Sequence, residues 1–227
     1  MKKIRIVQYL VVVLMVVFVG CDKASHDTIQ DTLNEMTLEE KIGQMLLVGF
    51  NGTSINEELN TLVEDEKVGG LILFKGNIET SSQLKYLVED IKKLDASVPL
   101  FISIDEEGGR VSRLPDDTNK FPSASEIGSK DDEEYSYENG IKMGKLLSSY
   151  GINMDFAPVL DIYSNTKNTV IGDRAFGNNE EIVSTMGIAM MKGLQDENII
   201  ACVKHFPGHG DTEVDSHVGL PIAYKNL

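Results

Sequence analysis

Fourteen residues late in the chain, Lys204-His-Phe-Pro-Gly-His-Gly-Asp-Thr-Glu-Val-Asp-Ser-His217, hold three of its four histidines. Pro207, Gly208 and Gly210 forbid a regular helix, so the stretch reads as a loop open to movement. Asp215 and His217 stand two apart, close enough on a tight turn for the carboxylate to orient the imidazole. A carboxylate so placed holds the imidazole tautomer and stabilises its protonated form, which suits general acid–base work. Lys204 and His205 end an apolar run, where rigid donors to a polar substrate are wanted. A zinc site from His205, His209 and an Asp or His beyond them is a rival reading. Its HxxxH interval fits, but Pro207 breaks the helix that would put both rings on one face. A glycine-rich connection with solvated histidines is the plain alternative, and three histidines beside three acids weigh against it.

Two earlier stretches carry polar groups of the same kind. In Asp105-Glu-Glu-Gly-Gly-Arg-Val-Ser-Arg113 an acid ends an apolar run and two glycines let the backbone turn closely. Such a carboxylate can accept hydrogen bonds from sugar hydroxyls, and Arg113 can donate them. In Gly172-Asp-Arg-Ala-Phe-Gly177, Arg174 can fork to a ring oxygen or a carboxylate. An internal salt-bridge network centred on Asp173 and Arg174 explains that stretch equally well.

The elements that must position these groups alternate. Thr37-Leu-Glu-Glu40 has the form of a capping box opening a helix, which runs into a first strand at Met45–Phe50. A helix follows near 56–66, then strand 70–74, helix 81–94, strand 100–104, helix 131–150, strand 153–157, helix 180–195 and strand 199–205. Acids Asp131 to Glu134 fall where the dipole of the long helix favours them. Strand–helix alternation predicts a parallel α/β sheet, either an open doubly wound sheet or a closed barrel. No GxGxxG follows a strand, so nothing supports a dinucleotide fold. The polar stretches follow the third, fourth and fifth strands, where a (β/α)8 barrel carries its active site. About five units precede Leu227 where a barrel needs eight, and 220–227 has no stop character, so a fragment is expected.

Composition bounds the function. With 21 Lys+Arg against 36 Asp+Glu the formal charge of the 227 residues is −15, which excludes binding nucleic acid by phosphate neutralisation. Hydrophobic residues at 41% and charged residues at 25% are those of a folding chain. Two cysteines exclude a disulfide scaffold. Lys2, Lys3 and Arg5 precede an apolar stretch, Tyr9 to Val19, too short to span a bilayer comfortably. It ends Phe18-Val19-Gly20-Cys21, which resembles the lipobox of bacterial lipoproteins, with Phe18 where Leu is usual. That resemblance implies cleavage before Cys21 and a lipid on its sulfur; a plain signal peptide is the alternative. Removing residues 1–20 takes Lys2, Lys3 and Arg5 away and deepens the charge from −15 to −18. Anionic headgroups repel such a surface, so the anchor would hold the protein to the membrane. Cys202, in an apolar run, is expected to be a buried, inert thiol. The expected organisation is a signal peptide over 1–20, a lipidated tether and start of the domain over 21–35, and a partial barrel over 36–227.

Taken together, Ile104–Val111, Asn153-Met-Asp-Phe-Ala-Pro-Val-Leu-Asp161, Gly172–Gly177 and Lys204–His217 resemble the catalytic barrel of family 3 glycoside hydrolases, in its β-N-acetylglucosaminidase branch. With Glu39–Met45 they extend over nearly all of the chain beyond residue 36. The resemblance implies a TIM-type (β/α)8 barrel, cut short here after about five βα units. It implies that Asp105, Arg113, Arg174, Lys204 and His205 contact a terminal N-acetylglucosamine and that Asp215 and His217 form the acid/base dyad. It implies a retaining mechanism whose aspartate nucleophile follows the seventh strand, beyond Leu227, so Asp161 and Asp173 come too early for that role. His217 replaces the usual second carboxylate with an imidazole of ordinary pKa ~6.5. No metal or organic cofactor is implied. The expected ligand is an oligosaccharide or muropeptide containing N-acetylglucosamine, met at the outer face of a membrane (the periplasmic side if the envelope is double). No protein partner follows. The alternatives are a phosphorylase, because a neutral imidazole does not repel phosphate, a catalytically silent sugar-binding lipoprotein, and a zinc amidase.

Overall fold

A computed structural model describes residues 28–214 and 219–222. Residues 1–20, Cys21, the tether to residue 27, Asp215 and His217 lie outside the described residues. The chain divides into two compact units, 1–41 and 42–227.

In the first unit, helix α1 spans Thr28–Glu35 and helix α2 begins at Leu38, running to Gln44. The capping box forms as the sequence requires: Thr37 N–H donates to Glu40 Oε2 at 2.8 Å and Glu40 N–H to Thr37 Oγ1 at 3.2 Å.

The second unit winds strand and helix in turn. In chain order it holds β1 (Leu47–Val48), α3 (Glu57–Asn60), β2 (Gly70–Leu73), α4 (Ser81–Ile91), β3 (Phe101–Ile104), α5 (Ala124–Gly128), α6 (Glu133–Tyr150), β4 (Met154–Asp155), α7 (Glu180–Asp196) and β5 (Ile200–Ala201). A π turn at Thr61–Asp65 extends α3, and short 3-10 turns occupy Lys75–Asn77 and Gly172–Arg174. The five strands lie in the order β1-β2-β3-β4-β5 and every neighbouring pair is parallel. Strand order that never reverses is the winding of a barrel; a doubly wound sheet reverses at a switch point. That order decides the alternative the alternation left open.

Apolar spacing explains the layers. Leu71, Leu73, Ile102 and Ile104 are fully buried in the neighbouring strands β2 and β3. Leu84, Leu87, Val88 and Ile91 recur on one face of α4, and Val183, Met186, Met190 and Leu194 on one face of α7. Helices α6 and α7 approach to backbone contact: a Cβ at Gly140 would strike the carbonyl of Met190, and one at Gly193 the carbonyl of Tyr137. Helix α6 starts two residues later than expected, because Asp131 takes φ 50° and Asp132 caps, accepting Tyr135 N–H at 3.1 Å.

Several boundaries move. Only Leu47 and Val48 of the first expected strand pair, and Met45 and Leu46 are exposed. The expected helix over 56–66 changes pitch at Thr61. Helices α1 and α5 are not among the elements expected from the sequence; Ser123 and Glu126 make the capping box of α5. Strand β5 is short, yet the chain keeps running beside β4: Cys202 N–H donates to the Asp155 carbonyl at 2.8 Å and Leu160 N–H to the Lys204 carbonyl at 2.6 Å. The Ala157–Pro158, Lys204–His205 and Phe206–Pro207 peptides are cis. Cys202 is half-buried, not sealed in the core as its apolar surroundings in the sequence led one to expect.

Candidate active site

The polar stretches leave the C-terminal ends of β3, β4 and β5 and meet. Asp105 follows β3 directly, and Gly108 (φ 79°) and Gly109 (φ 55°) turn the chain back so that Arg113 returns toward it. No side chain fits Gly108, whose Cβ would strike the Pro122 carbonyl. Arg113 Nη2 stands 3.9 Å from Asp105 Oδ2, beyond hydrogen-bond reach, and so keeps donors for a ligand.

Lys204, arriving from β5, places Nζ 2.7 Å from Asp105 Oδ1 and 2.5 Å from Glu107 Oε1. Glu107 is almost fully buried and also receives a two-pronged contact from Arg174, with Nε to Oε2 at 2.7 Å and Nη2 to Oε1 at 2.9 Å. Arg174 Nη2 lies 3.1 Å from His205 Nε2, and His205 Nδ1 lies 2.6 Å from Asp161 Oδ2. Asp161 Oδ1 accepts the backbone N–H of His209 at 2.6 Å. Three carboxylates and three cations, Asp105, Glu107 and Asp161 with Arg113, Arg174 and Lys204, thus balance. An open cleft of about 190 Å³ adjoins them, lined by Asp161, Lys204 and His205 among others, with Phe206 at its rim 98% exposed.

The electrostatics follow from the pairing. Burial alone would raise Asp161, but hydrogen bonds from His205 and from the His209 amide outweigh it and hold the carboxyl below its ordinary range. Burial works against charge on Arg174 too, but Glu107, then Asp161 and Asp105, keep its pKa above the usual value. Beneath them Asp155 is driven far up by burial, and Glu106 is also raised by burial. Glu106 N–H donates to Asp155 Oδ1 at 2.9 Å, while Glu106 Oε1 and Asp155 Oδ2 find no partner among the described residues.

Of the residues singled out in the sequence, Asp105, Arg113, Arg174, Lys204 and His205 come together in this one cluster. The Asp173–Arg174 network separates: Asp173 pairs with Arg110 at 2.7 Å while Arg174 turns to Glu107. Glu107 and Asp161 lie within the motif stretches, but the sequence gives Glu107 no role and marks Asp161 only as an aspartate too early to be the nucleophile. Nothing in their spacing shows that two carboxylates 54 positions apart serve one cluster, Glu107 holding Lys204 and Arg174, and Asp161 holding His205 and the His209 amide. In the zinc reading His205 would spend a ring nitrogen on the metal, but both its nitrogens face protein partners. Among the described residues no group of three His, Cys, Asp or Glu side chains is placed to hold a metal ion. The start of the loop is fastened: Asn168 Nδ2 donates to the His209 carbonyl at 2.7 Å, Asn165 Nδ2 to the Asp211 carbonyl at 3.1 Å, and Ser164 Oγ to Asp211 Oδ1.

Comparison with known proteins places this arrangement. Residues 37–226 match the glycosyl hydrolase family 3 N-terminal domain. A protein named beta-hexosaminidase A from Pseudoalteromonas piscicida is 35% identical over 210 residues, spanning 82% of this chain and 35% of that protein. A beta-hexosaminidase from Thiobacillus denitrificans is 38% identical over 188 residues, spanning 80% of this chain and 52% of its own length. The chain therefore spans about half or less of the length of these curated relatives. Among solved structures, a glycoside hydrolase family 3 β-N-acetylglucosaminidase from Paenibacillus sp. superposes with a TM-score of 0.80 at 42% identity, over 82% of this chain and 36% of that one. NagZ from Neisseria gonorrhoeae in complex with N-trifluoroacetyl-D-glucosamine superposes at 0.72 with 35% identity, over 78% of this chain and 53% of its own. The chain, which carries this barrel winding and these motifs over 190 of its residues, belongs to the glycosyl hydrolase family 3 N-terminal domain family.

Proposed function

We propose that the chain is the first part of the catalytic barrel of a β-N-acetylglucosaminidase. It removes terminal, non-reducing, β-linked N-acetylglucosamine from peptidoglycan fragments or chito-oligosaccharides. The observation that carries this reading is the cluster in which Lys204 joins Asp105 to Glu107, and Glu107 joins Lys204 to Arg174. Fixed donors and acceptors alternating beside an open cleft suit a polyhydroxylated ring, because each hydroxyl both gives and takes a hydrogen bond. The N-acetylglucosamine analogue bound by the Neisseria relative supports the sugar class.

Asp105, Arg113, Arg174, Lys204 and His205 contact the terminal sugar. Asp215 orients His217, which protonates the leaving oxygen and later takes a proton from water. The nucleophile is an aspartate supplied beyond Leu227, and the anomeric configuration is retained. Cys21 carries a lipid that holds the enzyme to the outer face of the membrane, where wall-derived sugars lie.

The test uses the full-length protein and aryl β-glycosides. Release from the β-N-acetylglucosaminide, and not from the β-glucoside, is expected. His217→Ala is expected to lower kcat by about 10²–10⁴-fold with sugar binding retained. Unchanged turnover in that variant removes His217 from the dyad, and equal turnover of the two glycosides removes the sugar assignment.

A further inference from the structure

We propose that Asp161 is the positioning residue of the site: one carboxylate fixes His205 as the neutral imidazole protonated on Nδ1 and also ties down the loop leading to residues 215–217. The role rests on the reading of His205 as a sugar contact.

Donor counting establishes the tautomer. Arg174 can only donate, and its Nη2 has two hydrogens. One goes to Glu107 Oε1 at 2.9 Å; the other faces His205 Nε2 at 3.1 Å, so that nitrogen must offer a lone pair. On the opposite side of the ring, an ionised Asp161 can only accept, so Nδ1, 2.6 Å from its Oδ2, must carry the proton. A doubly protonated His205 would set N–H against N–H at Arg174. A proton on Nε2 alone would fail on both sides at once. The carboxylate that imposes this order is 1% exposed, so water does not compete for it.

The other oxygen of Asp161 accepts His209 N–H at 2.6 Å. His205 and the first turn of the loop therefore hang on one group. Asn168 adds a hold from the same side, its Nδ2 on the His209 carbonyl and its Oδ1 on the amides of Val170 and Ile171, next to the turn that carries Arg174. For recognition, the only acceptor His205 has is the Nε2 lone pair that Arg174 occupies, so a sugar hydroxyl reaches it by taking the place of the Arg174 N–H. A sugar hydroxyl that engages Nε2 must donate to it. The sequence alone had made His205 a donor, because the ring's partners come from residues 31 and 44 positions away.

The test reads the ring directly and needs no substrate. Protein labelled with ¹⁵N-histidine is examined at neutral pH, His205 being assigned by its loss in His205→Gln. A protonated Nδ1 and a bare Nε2 are expected. A proton on Nε2, or on both nitrogens, overturns the proposal, and this wild-type reading decides even where a variant fails to fold. Asp161→Asn offers a single acceptor oxygen to two N–H groups. Either the His205 proton moves to Nε2 or the His209 amide loses its protection from exchange; if neither changes, the proposal falls. In the full-length enzyme the first outcome is expected to raise KM about tenfold or more, and the second to lower kcat. A protein with the expected tautomer but no N-acetylglucosaminidase turnover leaves Asp161 its role and removes the functional reading. A turning-over enzyme with the opposite tautomer does the reverse.

Discussion

Glu107 holds two cations at once, Arg174 through both oxygens and Lys204 through Oε1, with its side chain 4% exposed. Removing it leaves two positive charges in a site that water barely reaches. Glu107→Ala is therefore expected to cost about 3–5 kcal/mol in denaturant unfolding, well above an ordinary surface change. A loss under 1 kcal/mol would mean the cations find water or other carboxylates. The neighbouring acid behaves oppositely. Glu106 and Asp155 are pushed up by burial, so the folded state binds their protons more tightly than the unfolded chain does. Stability from this source is complete below the ordinary carboxylate range of about 4 and is lost as pH rises through the raised folded values. Asp155 feels Glu106 and Asp105 against it and Lys204 for it, so Lys204 limits the loss without cancelling it. Asp161, held low, contributes in the other direction, losing stability as pH falls. Thermal melts across pH on wild type and Glu106→Gln separate the two: the variant is expected to flatten the decline that sets in as pH rises above the ordinary carboxylate range and to leave the decline at low pH. An unchanged slope on the rising-pH side would remove Glu106 from this account.

At the scale of elements, α6 and α7 touch backbone to backbone at Gly140 and Gly193. Alanine ordinarily favours a helix over glycine by about 1 kcal/mol. Here its Cβ meets a carbonyl of the facing helix, which cannot swing aside as a side chain can. Gly140→Ala and Gly193→Ala are each expected to destabilise by about 1–3 kcal/mol, read as a lowered Tm. A raised Tm would show that the pair separates easily. The consequence reaches the site, since α7 leads into β5 and β5 delivers Lys204 and His205.

At the scale of the molecule, the acidic surface and the N-terminal stretch assign different tasks to different parts. A net charge of −18 over residues 21–227 gives that part no attraction for anionic lipid. Among the described residues no helix is long and apolar enough to cross a membrane. Membrane association in the proposed lipoprotein then depends on Cys21. Cys21→Ser is expected to move the protein from the membrane pellet to the soluble fraction with glycosidase turnover retained. A variant that stays in the pellet would require another anchor.

Helices α2, α3, α4, α6 and α7, the capping box at Thr37, the buried strands and their alternation were legible because each depends on residues within a few positions of one another. Lys204, His205, Arg174, Asp105 and Arg113 were legible as polar groups at strand ends for the same reason. Strand order was not, since an open sheet and a barrel alternate identically and differ only in which strands pair. Nor were the partners of the site. Glu107 serves Arg174 across 67 positions, and Asp161 serves His205 across 44. Charge type was written in the sequence, but an ion pair or a tautomer is fixed by which groups stand within 3 Å of each other. Only the wound sheet, by bringing the ends of β3, β4 and β5 side by side, decides that.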